Sequence, residues 1–314
     1  MLSRSKPIVV VGSINIDMVA KAERIPVAGE TVLGSNFQIH PGGKGANQAV
    51  AASRLGYPVR MIGRLGSDTF GTQLRTHLET EGVDVVGVTV TQGASGVAVI
   101  VVAQNGENSI VATSGANSQV TPEYLETNIE IIRSAGLVLT QLEIPEDAVE
   151  YLAQTCSREG IPLILDPAPA RDLPPSLFKH IEWFTPNETE ADFFIESSNR
   201  SRDATDPTSI VEMLMSKGVK GVALKMGSRG AYIASTDGLR EPLGPYSVEA
   251  IDTTAAGDVF NGAFATGLML GKGPVKSARF AVAAAAISVT RAGAQSSMPI
   301  TAEVEQMLAI ANAR

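Results

Sequence analysis

An α/β fold, with a mostly parallel central sheet covered by helices on both faces, is predicted for this sequence of 314 residues. Short β-branched runs at 8–14, 137–142 and 222–224 alternate with longer amphipathic segments. This alternation is typical of βαβ units, whose parallel strands are buried on both faces. Helical patterns at 275–290 and 302–313 close the chain.

Two strand-like stretches without an intervening helix interrupt this alternation, at about 18–40 and 88–114. The second is predicted to form two strands joined by a turn at 104–107. We expect both to form one small β-layer inserted into a single domain that spans 1–314, where the layer is able to cover a ligand as a lid. An ordinary antiparallel edge of the main sheet is the alternative.

The charge balance excludes several classes of partner. The chain has 33 acidic and 25 basic residues, a net charge of −8, which argues against a broad nucleic-acid or membrane-surface footprint. No apolar run approaches the ~20 residues that span a bilayer, and the apolar run at 8–11 is too short, and lacks the following cleavage site, to be a signal peptide. We therefore expect a cytoplasmic protein. Cys156 is the only cysteine and lies on an apolar helical face, which predicts a core thiol.

The most informative motif is the segment 252–262. The small residues Ala255, Ala256 and Gly257 precede a helical run, so their backbone N–H groups form a candidate anion site at a helix N-terminus. A carboxylate at Asp258 would repel a phosphate there, but it fits a base that removes a proton from a hydroxyl attacking that phosphate. The alternative is an acidic residue that only complements the helix dipole.

A second cluster, at 41–49, is a glycine-rich loop that opens a helix. Gly43 permits close approach of the backbone to a ligand, and Lys44 and Asn47 add polar groups. The spacing before Lys44 and the glycine after it exclude a Walker A loop. The cluster therefore predicts a polar-ligand site, with a simple turn as the alternative.

A third cluster follows the first predicted strand, where ligands bind in open α/β sheets. Asn15 and Asp17 alternate to the same side of an extended chain and are suited to vicinal sugar hydroxyls. The alternative here is a solvent-exposed polar turn.

The fourth motif is 185–190. Asn187 and Glu190 are candidates for the phosphates of a nucleotide and its magnesium, with Glu190 acting through bound water. Capping of a helix by Thr185 or Asn187 is the alternative.

Together and in this order, these motifs resemble the ribokinase or PfkB-type carbohydrate kinase family over essentially the whole chain. Asp166-Pro167-Ala168-Pro169-Ala170 and Gly293-Ala294-Gln295 add to the likeness. The resemblance implies a ribokinase-like three-layer α/β/α sandwich with a small β-sheet lid. It also implies ATP-dependent phosphorylation of the 5-hydroxyl of D-ribose, with Mg²⁺ and an activating K⁺, and a homodimer formed through the lids.

The resemblance also implies roles for individual residues. Asp258 is the implied catalytic base, with the backbone amides of Ala255, Ala256 and Gly257 as the anion hole. The implied sugar-binding residues are Asn15, Asp17, Gly43, Lys44, Asn47, Glu143 and Asp258. The implied nucleotide-binding residues are Asn187, Glu190, Lys225, Gly227, Ser228, Gly230 and Gly257. The implied monovalent-cation site consists of Asp252, Thr254, Ser288, Arg291, Gly293 and Ser297, in part through backbone carbonyls.

One departure from the family pattern is Lys225, which stands where threonine is usual, so contacts to the nucleotide are expected to differ locally. Two other functions compete with the ribokinase interpretation. One is a kinase of the same family that acts on deoxyribose, fructose or a nucleoside. The other is a non-catalytic sugar or nucleotide sensor built on the same fold.

Overall fold

The structure is a computed structural model that describes residues 6–196 and 206–312. Its larger sheet has nine strands in the order β13-β12-β11-β10-β9-β8-β1-β4-β5. The first four strands in chain order are β1 (Ile8–Val11), β4 (Val59–Gly66), β5 (Asp84–Thr91) and β8 (Leu137–Thr140). The others are β9 (Leu163–Leu165), β10 (Trp183–Phe184), β11 (Gly221–Lys225), β12 (Ala231–Ser235) and β13 (Arg240–Leu243). Pairing is parallel from β11 to β5 and antiparallel at β12 and β13.

Helices connect these strands and follow them. The first five are α1 (Lys44–Arg54), α2 (Thr69–Thr80), α3 (Pro122–Thr127), α4 (Ile129–Arg133) and α5 (Glu146–Glu159). The next five are α6 (Glu188–Glu196), α7 (Pro207–Met215), α8 (Ala256–Met269), α9 (Pro274–Ser288) and α10 (Thr301–Asn312). None of the described helices combines the length and the apolar character needed to cross a membrane.

Strand β1 shows why helices cover both faces of the sheet. Its four residues are fully buried, and alternate side chains point to opposite faces. Ile8 and Val10 pack into the core that contains α1 and α8, whereas Val9 and Val11 pack into the core that contains α5 and α7. The predicted three-layer α/β/α arrangement is therefore confirmed. Cys156 lies in the second core, where burial raises the pKa of its thiol to about 12.

A second sheet of four strands has the order β3-β2-β6-β7. It consists of β2 (Asn15–Ala22), β3 (Gly34–Gly42), β6 (Gly96–Ala103) and β7 (Asn108–Thr113). The β2–β3 and β6–β7 pairs are antiparallel, and β2–β6 is parallel. The turn expected at 104–107 joins β6 to β7, but the bounds of the second segment differ from the prediction: residues 88–91 belong to β5 of the large sheet.

The functional positions gather at one edge of the large sheet. Because β1, β8, β9, β10 and β11 are parallel, the segments that follow them emerge at the same edge. The loops after these strands carry Ser13, Glu143, Asp166 and Asn187, and Lys225 ends β11. Strand β2 starts beside this edge, so the small sheet is joined directly to the candidate site.

Candidate active site

The start of helix α8 carries the predicted anion site. Ala255 precedes the helix with φ of 59°, a left-handed conformation unusual for a residue other than glycine. The first amides of a helix have no intrahelical acceptor, so they are available to a ligand. Ala256 N nevertheless donates to the Thr253 carbonyl oxygen at 3.2 Å. Among the described backbone hydrogen bonds, none uses the amides of Ala255 or Gly257.

Asp258 lies in the first turn of α8 and is only 5% exposed. Its Oδ2 accepts from Asn47 Nδ2 at 2.9 Å, and its Oδ1 accepts from Gln48 Nε2 at 3.0 Å. Helices α1 and α8 approach closely at Gly262, which has no side chain. A Cβ added there would lie 2.7 Å from the Ala51 Cβ. The close packing fixes the carboxylate against two amide donors.

Burial raises the pKa of Asp258 to about 6, with the Asp166 carboxylate adding to the effect and Lys44 opposing it. Burial likewise raises the pKa of Asp17 to about 7, helped by the negative charges of Glu143 and Asp258. Asp17 and Asp258 therefore lie within electrostatic reach of each other although 241 positions separate them in the sequence. A carboxylate with a pKa near 6 suits a general base at neutral pH.

Lys44 is the cation at the centre of this group. Burial by itself would lower the pKa of Lys44, but the carboxylates of Asp258, Asp166 and Glu143 together raise it above its ordinary value. The lysine therefore stays protonated and balances part of the negative charge. The negative charge of Glu190 also raises the pKa of Lys44, so the two side chains lie within electrostatic range of each other.

The loop before α1 depends on a glycine that no other residue could replace without strain. Gly43 has φ of 89°, and a Cβ there would lie 2.7 Å from the backbone nitrogen of Asn15. This contact places the start of α1 against the segment that leads from β1 into β2. Glu143 Oε2 joins the two, because it accepts from Ser13 Oγ at 2.5 Å and from Lys44 N at 3.2 Å.

Asn15 and Asp17 lie at the start of the small sheet. Asn15 Oδ1 accepts from Asn117 Nδ2 at 2.7 Å, which fixes its amide. The Asp17 carboxylate lies over Gly42, where an added Cβ would be 2.1 Å from Oδ2. The predicted sugar-binding residues thus converge on one cleft, although the amide of Asn47 is already used by Asp258 and by Gln295 Nε2.

The predicted nucleotide residues form the neighbouring part of the cleft. Asn187 and Glu190 cap α6 reciprocally: Glu190 N donates to Asn187 Oδ1 and Asn187 N donates to Glu190 Oε2, both at 2.8 Å. Asn187 also forms an isolated parallel bridge with Lys225. The loop after β11 turns at Gly227 and Gly230, which have φ of 54° and 89°.

Lys225 extends from β11 towards α8. Its Nζ forms a 2.9 Å ion pair with Asp166 Oδ1, in which the Asp166 side chain is buried and the Lys225 side chain is largely enclosed. A Cβ added to Gly257 would lie 3.4 Å from the same ammonium. The lysine therefore connects the end of β11 to the start of α8.

The predicted cation-site residues lie on the segment before α8, at the end of α9 and on the loop after it, and Asp252 connects the segment before α8 to that loop. The Asp252 carboxylate accepts from Thr254 N at 2.9 Å, Thr254 Oγ1 at 2.6 Å and Gly293 N at 2.8 Å. Burial works against ionisation, yet these hydrogen bonds hold the pKa of Asp252 below its usual range. The side chains of Asp252, Thr254, Ser288 and Ser297 carry carboxylate and hydroxyl oxygens, hard ligands of the kind that fit an alkali cation. The Arg291 side chain turns away to pair with Glu303, so only its backbone could contribute.

Four site residues lay outside the predicted set: Gln48, Asp166, His77 and Gln295. Gln48 Nε2 bridges Asp166 Oδ2 at 2.9 Å and Asp258 Oδ1 at 3.0 Å. His77 Nε2 contacts Gln295 Oε1 at 2.7 Å, and Gln295 passes the connection to Asn47. Asp166 could have been found because it directly follows a buried strand at the ligand-binding edge. Gln48 is a buried amide among alanines, a weaker signal.

Comparisons with known proteins give one consistent result. The family described as pfkB family carbohydrate kinase matches residues 5–301. Ribokinase of Bacillus subtilis (strain 168) is 43% identical over 303 residues, which cover 96% of this chain and 99% of that protein. Deoxyribokinase of Salmonella typhi is 35% identical over 311 residues, with coverage of 96% and 99%. The structure of Arabidopsis thaliana ribokinase complexed with ribose and ATP matches with a TM-score of 0.89 at 35% identity, with coverage of 97% and 99%.

Proposed function

The chain belongs to the pfkB family of carbohydrate kinases, and we propose that it transfers the γ-phosphoryl group of ATP to the 5-hydroxyl of D-ribose. The products are D-ribose 5-phosphate and ADP. The observation that carries the proposal is the position of Asp258: a buried carboxylate on the first turn of α8, fixed by Asn47 and Gln48, beside amides suited to a phosphate. The Arabidopsis relative holds this pair of substrates, ribose and ATP.

In the proposed reaction Asp258 removes the proton from the ribose 5-hydroxyl. The hydroxyl oxygen forms a bond to the γ-phosphorus while the bond from that phosphorus to the β,γ-bridging oxygen breaks, and ADP leaves. The amides of Ala255, Ala256 and Gly257 stabilise the charge that develops on the transferred group. Because the Ala256 amide also contacts Thr253, the amides of Ala255 and Gly257 are the freer donors.

The proposed sugar site is the convergence of the small sheet with α1. Asp17 and Asn15 face the sugar from β2, Gly43, Lys44 and Asn47 from the start of α1, and Glu143 from the loop after β8. The ordered contacts of Asn15 with Asn117 and of Glu143 with Ser13 favour a preformed polar pocket. Such a pocket penalises a sugar that lacks a hydroxyl partner.

The proposed nucleotide site consists of Asn187, Glu190, Lys225, Gly227, Ser228, Gly230 and Gly257. Mg²⁺, when bound with ATP, would neutralise phosphate charge, and Glu190 is the residue suited to hold its water shell. The position of Glu190 within electrostatic range of Lys44 is compatible with this role. Its reciprocal cap with Asn187 fixes its orientation without burying it.

We further propose an activating K⁺ between the loops that carry Asp252 and Thr254 on one side and Ser288, Arg291, Gly293 and Ser297 on the other. A cation there would add positive potential next to the start of α8. The ionised Asp252 carboxylate and the oxygen-rich backbone around it support this choice of ion. ATP as substrate also favours the cytoplasm as the location.

A homodimer through the small sheet is also proposed. Strand register places Ile39, Met18, Val99 and Val111 side by side across β3, β2, β6 and β7. This row lies on the face opposite to Asp17, because Met18 and Asp17 are adjacent on one strand. Ile39, Val99 and Val111 are 45%, 47% and 64% exposed. An exposed apolar row on a sheet with open edges fits the same surface of a second copy.

Deoxyribose is the second candidate substrate, since a deoxyribokinase matches nearly the full chain. A panel of pentoses, hexoses and nucleosides with ATP, followed by ADP release, tests the proposal. The highest kcat/KM is expected for ribose. If none of these acceptors leads to ADP release, a non-catalytic sensor is favoured instead. The complete set of Asp258, the small-residue loop and Asn187 with Glu190 argues against such a sensor.

A further inference from the structure

The ion pair between Lys225 and Asp166 is largely enclosed by the protein, and a contribution to stability alone does not explain its position. The side chains are 12% and 2% exposed, and Nζ lies 2.9 Å from Asp166 Oδ1. Asp166 Oδ2 is already satisfied by Gln48 Nε2 at 2.9 Å. A buried pair of this kind contributes little net stability, because desolvation of both charges offsets their attraction. The place of the pair in the fold therefore points to a role other than stability.

The ammonium stands at the first turn of α8. A Cβ at Gly257 would meet Lys225 Nζ at 3.4 Å and Cε at 4.0 Å, so the cation lies next to the Gly257 backbone, one residue before the base Asp258. A lysine ammonium has three N–H donors, and the bond to Asp166 uses one. The remaining donors lie beside the amides that are proposed to hold the phosphoryl group.

The charges around Lys225 also favour its contact with an anionic ligand. Asp166 and Asp258 are close enough for the Asp166 charge to raise the pKa of the base, and both carboxylates raise the pKa of Lys44. The γ-phosphoryl group of ATP is anionic, so a cation on its own side favours its entry into this acidic cleft. Lys225, fixed by a strand at one end and by Asp166 at the other, is held where that cation is needed.

We propose that Lys225 Nζ donates a hydrogen bond to the transferring γ-phosphoryl group, and that Asp166 is a positioning residue that fixes the ammonium beside Gly257. This inference rests on the proposed phosphoryl transfer. The hydroxyl proton goes to Asp258 and not to the lysine. The oxygen–phosphorus bond forms, the bond from phosphorus to the β,γ-bridging oxygen breaks, and ADP leaves with the electrons of the broken bond. The lysine stabilises the charge on the transferred oxygens.

The test compares Lys225→Met, Asp166→Asn and the double variant. Lys225→Met should lower kcat by roughly 10²–10³, the effect typical of one lost donor to a developing charge. It should also lower the Tm, since the buried Asp166 loses its counter-ion. Asp166→Asn keeps the ammonium but loosens it, so kcat should fall by less than in Lys225→Met.

The double variant separates catalysis from folding. Removing both charges should restore a Tm near that of the wild type while kcat stays as low as in Lys225→Met. The dissociation constant of ADP, which has no γ-phosphoryl group, should stay within about twofold in calorimetry, because the lost contact is made only to that group. Recovery of wild-type kcat in the double variant would overturn the proposal, since the lysine would then serve only to neutralise Asp166.

Lys220→Met is the matched control. Lys220 directly precedes the same strand at its other end, and its ammonium pairs with Glu182 at 2.9 Å on the surface. Its kcat should equal that of the wild type, and an equal loss in this variant would contradict a specific role for Lys225. If the wild type itself turns over neither ribose nor another acceptor with ATP, the proposed function fails rather than the role of this lysine.

Discussion

Asn47 Nδ2 donates a 2.9 Å hydrogen bond to Asp258 Oδ2 and so joins the start of α1 to the start of α8. The two residues belong to the two glycine-rich motifs of the chain, which lie 211 positions apart. Gln295 in turn donates to Asn47 Oδ1 at 2.9 Å, which fixes the orientation of the Asn47 amide. The proposed base therefore has a set direction towards the cleft before any substrate binds.

Asp258→Asn tests the base directly. We expect kcat to fall by roughly 10²–10⁴, the range for loss of a general base, while the dissociation constant of ribose changes little. Coupled ADP release measures the first quantity and calorimetry the second. Turnover like that of the wild type would refute the assignment.

The Tm of Asp258→Asn shows whether a loss of activity comes from unfolding. Burial raises the pKa of Asp258, so the folded state binds the proton more tightly than the unfolded state. The ionised carboxylate thus makes the fold less stable as the pH rises from about 4 through about 6. At pH 7 the Asn variant, which has no such charge, should have a Tm at or above that of the wild type.

The pH dependence of the rate follows from the same carboxylates. The pKa values of Asp258 and Asp17 are raised to about 6 and about 7, and both groups act in their ionised forms. The value of kcat/KM should therefore fall as the pH drops through the range of about 7 to 6, by about tenfold per pH unit once a single group limits. A profile flat down to pH 5 would contradict the prediction.

The sequence predicted the large sheet well because parallel strands buried on both faces give continuous apolar runs, as in β1 and β8. The sequence prediction assigned residues 88–91 to the small sheet, whereas they belong to β5, an edge strand of the large sheet. Its burial is mixed, with Val85 and Val88 buried and Val86 65% exposed, so locally it resembles a lid strand. Only its pairing with β4 decides the sheet to which it belongs.

From the sequence, candidate site residues could be proposed where the chemistry is local, whereas contacts made across the chain were missed. Asp258 could be proposed as the base because small residues and a carboxylate at a helix start stand together in one segment. Gln48 and Asp166 lie 118 positions apart and acquire a role only through their mutual contact. The effect of Lys225 likewise depends on its distance to Gly257, which no sequence pattern contains.

Ribose should be preferred over 2-deoxyribose. Asn15 and Asp17 are partly or fully buried polar groups, and a sugar without the 2-hydroxyl leaves one of them unpaired at a cost of about 1–3 kcal/mol. This corresponds to a kcat/KM ratio of roughly 10 to 100 between the sugars. Asp17→Ala should reduce the ratio, whereas Glu23→Ala, an exposed residue just after β2, should leave it unchanged. Equal kcat/KM values for the two sugars in the wild type would remove the preference.

Potassium should raise the activity relative to sodium or choline at equal ionic strength. Asp252 holds the Thr254 and Gly293 backbones together, so Asp252→Ala should weaken the proposed site and abolish the difference between potassium and sodium. Asp237→Ala, in the turn between β12 and β13, should keep the full response. Identical rates of the wild type in all three salts would count against the cation site.

The apolar row on the small sheet predicts the oligomeric state. If Val99 and Val111 meet the same row of a second copy, Val99→Lys with Val111→Lys places charges in that contact and should shift the protein from dimer to monomer in light scattering at micromolar concentration. Val86→Lys, which replaces a 65% exposed valine on β5 of the large sheet, should leave the dimer intact. The row faces away from Asp17, so the double variant should keep measurable kinase activity. A wild-type monomer under these conditions, or a dimer that survives both lysines, would place the contact elsewhere or exclude it.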